Sequence, residues 1–105
     1  MTEAERSFRT AVQSDPSHAE AHYGLGLIFR KNKRLADARK EFEASLQSDP
    51  WKSQTYGNLG MVCLGLGDFN CAEKQFLEAL RLDPADALAG EGLRRIRDAR
   101  FQRVK

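Results

Sequence analysis

Apolar residues recur along the chain at the three- and four-residue spacing of amphipathic helices, and not in the strict alternation of strands. Leu25, Ile28 and Phe29 form one such stripe, and Leu59, Val62 and Cys63 form another. Longer stripes follow each of them after a short turn signal. The pattern predicts six helices and no strand, with bounds near Thr2–Ser14, Ser17–Lys31, Leu35–Ser48, Lys52–Leu66, Asn70–Leu82 and Asp86–Arg103.

The central helical pairs repeat at an interval of 34 residues. Leu59-Gly60 follows Leu25-Gly26 at this interval, and Asp83-Pro84 follows Asp49-Pro50. An earlier Asp15-Pro16 lies one interval before Asp49-Pro50. A fixed period of a few tens of residues indicates a solenoid of stacked units. Each unit is expected to be two antiparallel helices.

The repeated positions resemble the tetratricopeptide repeat, whose 34-residue unit has Leu-Gly, Ala, aromatic and Pro positions at fixed places. The first unit carries at the characteristic positions His22, Leu25, Gly26, Phe29, Ala38, Phe42, Ser45 and Pro50. The second unit carries there Tyr56, Leu59, Gly60, Cys63, Ala72, Phe76, Ala79 and Pro84. The resemblance implies an all-α fold, a right-handed α-solenoid of about six helices, and a protein that is not an enzyme. Gly26 is expected to face Ala38, and Gly60 to face Ala72.

The resemblance also implies a single domain over residues 1–105. Its expected parts are a lone second-type helix with a linker, two repeats and a C-terminal capping helix: 1–18, 19–52, 53–86 and 87–105. Arg94 and Arg97 stand where the family has Gly and an aromatic residue, positions that would receive a following helix. We therefore expect both to be exposed, as a polar cap requires.

Composition suits an ordinary globular chain, with 41% hydrophobic and 30% charged residues. The apolar runs are too short to cross a bilayer, and the N-terminus lacks a secretion signal, so we expect no membrane insertion and a cytoplasmic location. The net charge of +2 is unevenly distributed, because residues 94–105 contain six basic residues and only one acidic residue. A second basic run lies at 30–34. Solvated helix ends are the favoured interpretation of both runs.

Candidate chemistry is sparse, and we expect no catalytic residue, metal site or cofactor. His18 and His22 could share a helix face, but they do not form a zinc-protease motif, and packing or capping roles are favoured. Cys63 and Cys71 lie on the two helices of one pair without metal-type spacing, and reduced thiols are favoured. Thr2 with Glu5, and Ser17 with Glu20, are expected to cap helices.

In the family, the first helices of the repeats line a concave, partner-binding surface. Eight residues are expected to form it here: Tyr23, Leu27, Arg30, Lys31, Asn58, Met61, Leu64 and Arg95. Four small residues are expected to form its shallow floor: Gly24, Gly57, Gly65 and Gly92. An apolar stripe with a basic rim indicates a partner segment with apolar anchors and some acidic character. The leading hypothesis is a non-catalytic adaptor that binds a peptide or helix of another protein, with no small-molecule substrate.

Two alternatives stay open. Two copies could complete a repeat head to tail as a homo-oligomer, although Arg94 and Arg97 make that face polar. The basic run at 94–105 could bind nucleic acid or an anionic surface, although no interleaved aromatic residues support this.

One branch of the family binds the acidic C-terminal tails of heat-shock chaperones through a carboxylate clamp of Lys, Asn, Asn, Lys and Arg. The corresponding residues here are Tyr23, Leu27, Asn58, Leu88 and Gly92. Only Asn58 fits, so the resemblance does not support binding of those tails.

Overall fold

The computed structural model describes residues 2–104, with side chains up to Gln102. Over this range the chain forms six helices and no strand. In chain order the helices are α1 (Glu3–Ser14), α2 (Ala19–Lys31), α3 (Leu35–Ser48), α4 (Ser53–Gly65), α5 (Phe69–Leu82) and α6 (Ala87–Val104). The predicted number of helices is confirmed, and each predicted boundary lies within two residues of the observed one.

The helices pack as sequential pairs, α2 with α3 and α4 with α5. Helix α1 packs on α2, while α6 packs on both α4 and α5. Helices α2, α4 and α6 are neighbours in one layer, because α4 contacts both of the others. The result is an elongated body of 51 × 27 × 18 Å. The candidate site residues all belong to this single layer of helices.

The repeated Asp-Pro pairs end the second-type helices in the same way each time. The Oδ1 atoms of Asp15, Asp49 and Asp83 accept hydrogen bonds from the backbone N–H groups two residues later, at 3.0, 3.2 and 3.0 Å. Proline follows each aspartate, lacks an N–H and disfavours helical geometry before it. The sequence therefore sets the same turn at the end of α1, α3 and α5.

The helix starts are capped by side chains, with one difference from the prediction. Thr2 Oγ1 accepts the N–H of Glu5 at 3.2 Å, as predicted. The cap of α2 is His18, whose Nδ1 accepts the N–H of Ala21 at 3.1 Å. The predicted cap Ser17 was wrong, because its hydroxyl donates to Asp15 Oδ1 at 2.7 Å. The capping role expected among the two histidines thus belongs to His18.

Two fully buried phenylalanines join the helices of the core. The Phe42 ring lies directly against Gly26, and the Phe76 ring lies against both Gly60 and Gly92. A Cβ atom added at any of these glycines would overlap a ring. The closest neighbours of Gly26 and Gly60 are thus phenylalanine rings.

The glycines expected to form the floor of the groove instead lie at contacts between helices. A Cβ atom at Gly24 would overlap the Phe8 ring of α1, and one at Gly65 would meet Leu35 of α3. Gly57 lies beside Asp86 and Leu88 at the start of α6. These glycines lie at contacts between helices, so the prediction that they form the floor of a groove was wrong.

The two cysteines form a disulfide that links α4 to α5, and the expectation of reduced thiols was wrong. Cys63 is fully buried in the position where the first repeat has an aromatic residue, and Cys71 lies in the first turn of α5. Their Cα atoms are 5.9 Å apart, within the range that a disulfide spans. Close packing of the antiparallel pair brings the two positions together.

The last helix has the exposed face that was predicted for a cap. Arg94 and Arg97 are both exposed, while Ile96 is buried against the core. Among the described residues, no helix is both long and apolar enough to cross a membrane.

Candidate functional site

The candidate residues lie on neighbouring helices of one layer and differ in exposure. Tyr23, Leu27 and Arg30 follow one another at one-turn spacing on α2, so they share a face. Leu27 is 37% exposed, so part of its apolar side chain is available for contact with a partner. Met61 and Leu64 on α4 are half-buried and pack against the core with part of their surface. The surface of this layer of α2, α4 and α6 that carries Tyr23, Leu27, Arg30, Asn58, Met61 and Leu64 is called the groove face below.

Asn58 connects the groove residues of α2 with α4. Its Oδ1 accepts a hydrogen bond from Arg30 Nη1 at 2.8 Å. Its Nδ2 donates to the hydroxyl of Tyr23 at 3.3 Å and to the carbonyl of Gln54 at 2.9 Å. Asn58 is 7% exposed, so its amide is committed to these bonds. Asn58 therefore orients Arg30 and Tyr23, and offers little surface of its own to a partner.

Tyr23 is held on both sides of its ring. Its centroid lies 5.8 Å from that of Phe42, and the Lys52 Nζ lies 3.8 Å from it. Burial raises the pKa of the Tyr23 phenol, and the nearby Arg30 opposes this shift in part. The phenol is therefore a neutral hydroxyl near neutral pH, with a fixed position on the groove face.

The predicted basic rim divides into paired and unpaired cations. Arg95 forms an ion pair with Glu91 on its own helix, with 3.1 Å between Nη2 and Oε1. No ion pair among the described residues involves Arg30, Lys31 or Lys33. Leu27 and these three cations line a hollow of about 230 Å³ at the C-terminal end of α2. Lys33 was absent from the predicted site, although the basic run at 30–34 contained the signal for it.

The histidines have structural roles, as predicted. Both ring nitrogens of His22 face acceptors: Nδ1 lies 2.8 Å from Glu41 Oε1 and Nε2 lies 2.7 Å from the carbonyl oxygen of Pro16. In the next repeat, Tyr56 donates to the carbonyl of Pro50 at 3.0 Å from the corresponding position. This bond ties the first-type helix to the turn before it. Over residues 2–104, no group of three or more His, Cys, Asp or Glu side chains is placed to hold a metal.

Burial lowers the pKa of the His22 imidazole, but hydrogen bonds to Glu41 and to the Pro16 carbonyl, with attraction from Glu41 and Asp15, outweigh it. The net direction is a raised pKa. This agrees with the geometry, because two acceptors require both ring nitrogens to carry hydrogen. The raised pKa stabilises the charged form of His22 in the folded domain, and both of its ring nitrogens face acceptors.

Family comparison agrees with the repeats seen in the fold. One tetratricopeptide-repeat family model matches residues 2–50, and a second matches residues 53–86. The chain belongs to the tetratricopeptide-repeat (TPR) family. This family is non-catalytic, and the chain is not an enzyme. No curated protein sequence matches the chain significantly.

Solved TPR domains share the fold of this TPR chain. The first TPR domain of Spaghetti (RPAP3), bound to the HSP90 peptide SRMEEVD, superposes with a TM-score of 0.86 at 19% identity. The match covers 90% of this chain and 75% of that domain. The second TPR domain of human RPAP3, in complex with the HSP70 peptide SGPTIEEVD, gives 0.84 at 20% identity, over 89% and 78% of the two chains. At these identities the comparison shows a common fold.

Proposed function

We propose that this TPR domain binds a peptide or helix of another protein on its groove face, as an adaptor. The observation that supports this most is an exposed Leu27 on α2 and half-buried Met61 and Leu64 on the neighbouring α4, with cations around Leu27 that lack acidic partners. Apolar anchors surrounded by a polar rim are the usual anatomy of a binding surface. The expected ligand is a protein segment with two or three apolar anchors and some acidic character.

The proposal includes the arrangement that the sequence predicted, with repeats at 19–52 and 53–86 in a single domain. Affinity near micromolar, about −8 kcal/mol, is expected because two repeats offer a small interface.

The decisive experiment replaces the two apolar residues at the centre of the groove face. In the double variant Leu27→Glu with Met61→Glu, partner binding should be lost while the circular dichroism spectrum stays helical. A matched control carries Gln47→Glu and Leu77→Glu, which add the same charge at exposed positions on α3 and α5, outside the layer of α2, α4 and α6. A partner recovered by pull-down with the isolated domain is then titrated by calorimetry against both variants. If both variants lose affinity equally, or if both keep the affinity of the parent domain, the binding site is not on the groove face.

The chaperone-tail peptides of the structural neighbours supply a defined comparison probe. Because only Asn58 matches the clamp pattern and its amide is internally bonded, we expect SRMEEVD to bind this domain far more weakly than its own partner. Micromolar binding of SRMEEVD would show that the clamp positions do not decide the affinity for such tails, while peptide binding itself would stand.

Both alternatives receive less support than peptide binding. In the basic run, Arg95, Arg97 and Arg100 each have an acidic neighbour within 4.0 Å, which reduces the field available to a polyanion. Arg94 and Arg97 are exposed on the α6 face that head-to-tail assembly would bury. Sedimentation at increasing protein concentration tests assembly, and steep loss of binding with salt would indicate a polyanion.

A further inference from the structure

The hollow at the C-terminal end of α2 concentrates positive charge that no part of the described chain neutralises. Arg30, Lys31 and Lys33 line it together with Leu27, and none of the three cations has a carboxylate within 4.0 Å. Their neighbour Arg34 differs, because its guanidinium pairs with Asp37 at 2.8 Å and lies 4.7 Å from the centre of the Phe29 ring. The hollow therefore brings together three cations that lack ion pairs, whereas the next cation along the chain is paired.

Acidic groups near the opposite end of the groove face are already engaged. Asp86 Oδ1 accepts the N–H of Ala89 at 3.0 Å and so caps α6, and Glu91 is paired with Arg95. The groove face thus has one end with three cations that lack ion pairs, and another where the Asp86 carboxylate lies beside Gly57 and Lys52 lies over the Tyr23 ring. A bound segment would meet a different charge at each end.

Arg30 is better fixed than an ordinary surface cation. Its Nη1 donates to Asn58 Oδ1 at 2.8 Å, and Asn58 is itself held by Gln54 and Tyr23. The guanidinium still has donors that this bond does not use. A charged donor oriented in advance loses less entropy when it binds an acceptor.

We propose that the hollow binds carboxylate side chains of the partner segment, and thereby fixes the direction in which the segment lies on the groove face. The inference rests on the proposed function. The apolar anchors contact Leu27 and Met61, and the acidic residues lie on the side of the anchors that meets the C-terminal end of α2. Three separate single charges around an open hollow suit two neighbouring carboxylates better than one phosphate group. Carboxylates are also the natural partners of an arginine with free donors.

A selection from random peptides tests the inference before any partner has been identified. The peptides are displayed with a fused C-terminus, so that no free terminal carboxylate is present, and are selected on the folded domain. We expect enriched sequences with an apolar pair and acidic residues consistently on one side of it. Selection on the triple variant Arg30→Gln, Lys31→Gln and Lys33→Gln should keep the apolar pair and lose the acidic preference.

The matched control removes the same charge elsewhere. Lys40, Lys74 and Arg94 are exposed and likewise lack ion pairs, so their triple replacement by Gln changes net charge equally. The control should retain the acidic preference. In titrations with the best selected peptide, the hollow variant should bind on the order of tenfold more weakly, since each exposed charge pair is worth up to about fivefold. Replacing Glu by Gln in the peptide should weaken binding to the parent domain and not to the hollow variant.

The outcomes separate this inference from the proposed function. Enriched peptides with an apolar motif and no acidic side would overturn the inference and leave peptide binding intact. Failure to enrich any peptide would overturn the proposed function and this inference with it. Equal loss of affinity in the control would show a general charge effect and refute the hollow as the site. A phosphoserine peptide that binds more than about tenfold tighter than its Glu form would overturn the choice of carboxylate.

Discussion

Phe76 is the side chain that joins the second repeat to the last helix, and its removal should destabilise the whole domain. The ring is fully buried and lies against Gly60 of α4 and Gly92 of α6 at once. Phe→Ala substitutions in cores cost about 3–5 kcal/mol, because the lost burial is joined by a cavity that neighbours fill only in part. Total stability of a domain this size is about 5–15 kcal/mol. Phe76→Ala should therefore leave a marginally folded domain.

The contact with Gly92 makes the prediction sharper, because a Cβ atom there would overlap the Phe76 ring. Gly92→Ala should gain about 1 kcal/mol of helix propensity and lose about 1–3 kcal/mol through overpacking. In the double variant Phe76→Ala with Gly92→Ala, the new methyl group at position 92 enters the space that the Phe76 ring has left. Its free energy of unfolding should then exceed the additive expectation by at least about 1 kcal/mol.

Urea unfolding followed by far-UV circular dichroism measures all four members of this cycle. Phe42→Ala with Gly26→Ala is a second cycle in the first repeat, on the equivalent of the contact between Phe76 and Gly60. Additive free energies in both cycles would refute the contact. A Phe76→Ala variant that unfolds at the urea concentration of the parent would refute the placement of Phe76 in the core.

Three further predictions concern individual bonds. Because the folded-state pKa of His22 is raised, its contribution to stability is complete below the unfolded pKa of about 6.5 and is lost as the pH rises through the higher folded-state pKa. The melting temperature should therefore fall as the pH rises above about 6.5. A Glu41→Gln variant should flatten this pH dependence, and an unchanged slope would refute it. Reduction of the Cys63–Cys71 disulfide, which closes a loop with a sequence separation of 8, should lower stability by about 2–3 kcal/mol in calorimetry; equal stability with and without reductant would contradict this. Thr55 Oγ1 is buried without a hydrogen-bond partner, so Thr55→Val should stabilise the domain by roughly 1 kcal/mol, and a clear loss of stability would reveal a missed partner.

The helices could be predicted from the sequence, whereas the packing contacts between them could not. Helix boundaries followed from local signals such as Asp49-Pro50, where proline and the aspartate side chain act within a few residues of each other. The partner of a given glycine was less predictable. Gly24 and Gly92 look like surface positions on a helical face, yet each receives a phenylalanine from the preceding helix. That contact depends on how consecutive helices pack against each other, which the spacing of residues does not determine.

The candidate site was predictable as a face and less so as an arrangement. Periodicity placed Leu27 and Met61 on neighbouring first-type helices, and the structure shows Leu27 exposed and Met61 half-buried. It could not show that Arg95 is paired with Glu91, or that Lys33 contributes to the hollow with Arg30. Pairing of exposed charges depends on side-chain geometry, which the spacing of residues does not determine.

The groove face owes its particular chemistry to one departure from the repeat. Gly24, Asn58 and Gly92 occupy the same place at intervals of 34 residues, and only the outer two are glycines. At those two, the absent side chain leaves room for Phe8 and Phe76. At the middle place an asparagine is buried instead, and burial of an amide is tolerable only if its hydrogen bonds are made. Asn58 makes them to groove-face groups on α2 and α4, so the departure that interrupts regular packing also positions a cation and a phenol for a partner. Under the proposed function, recognition therefore depends on a residue that a partner scarcely touches.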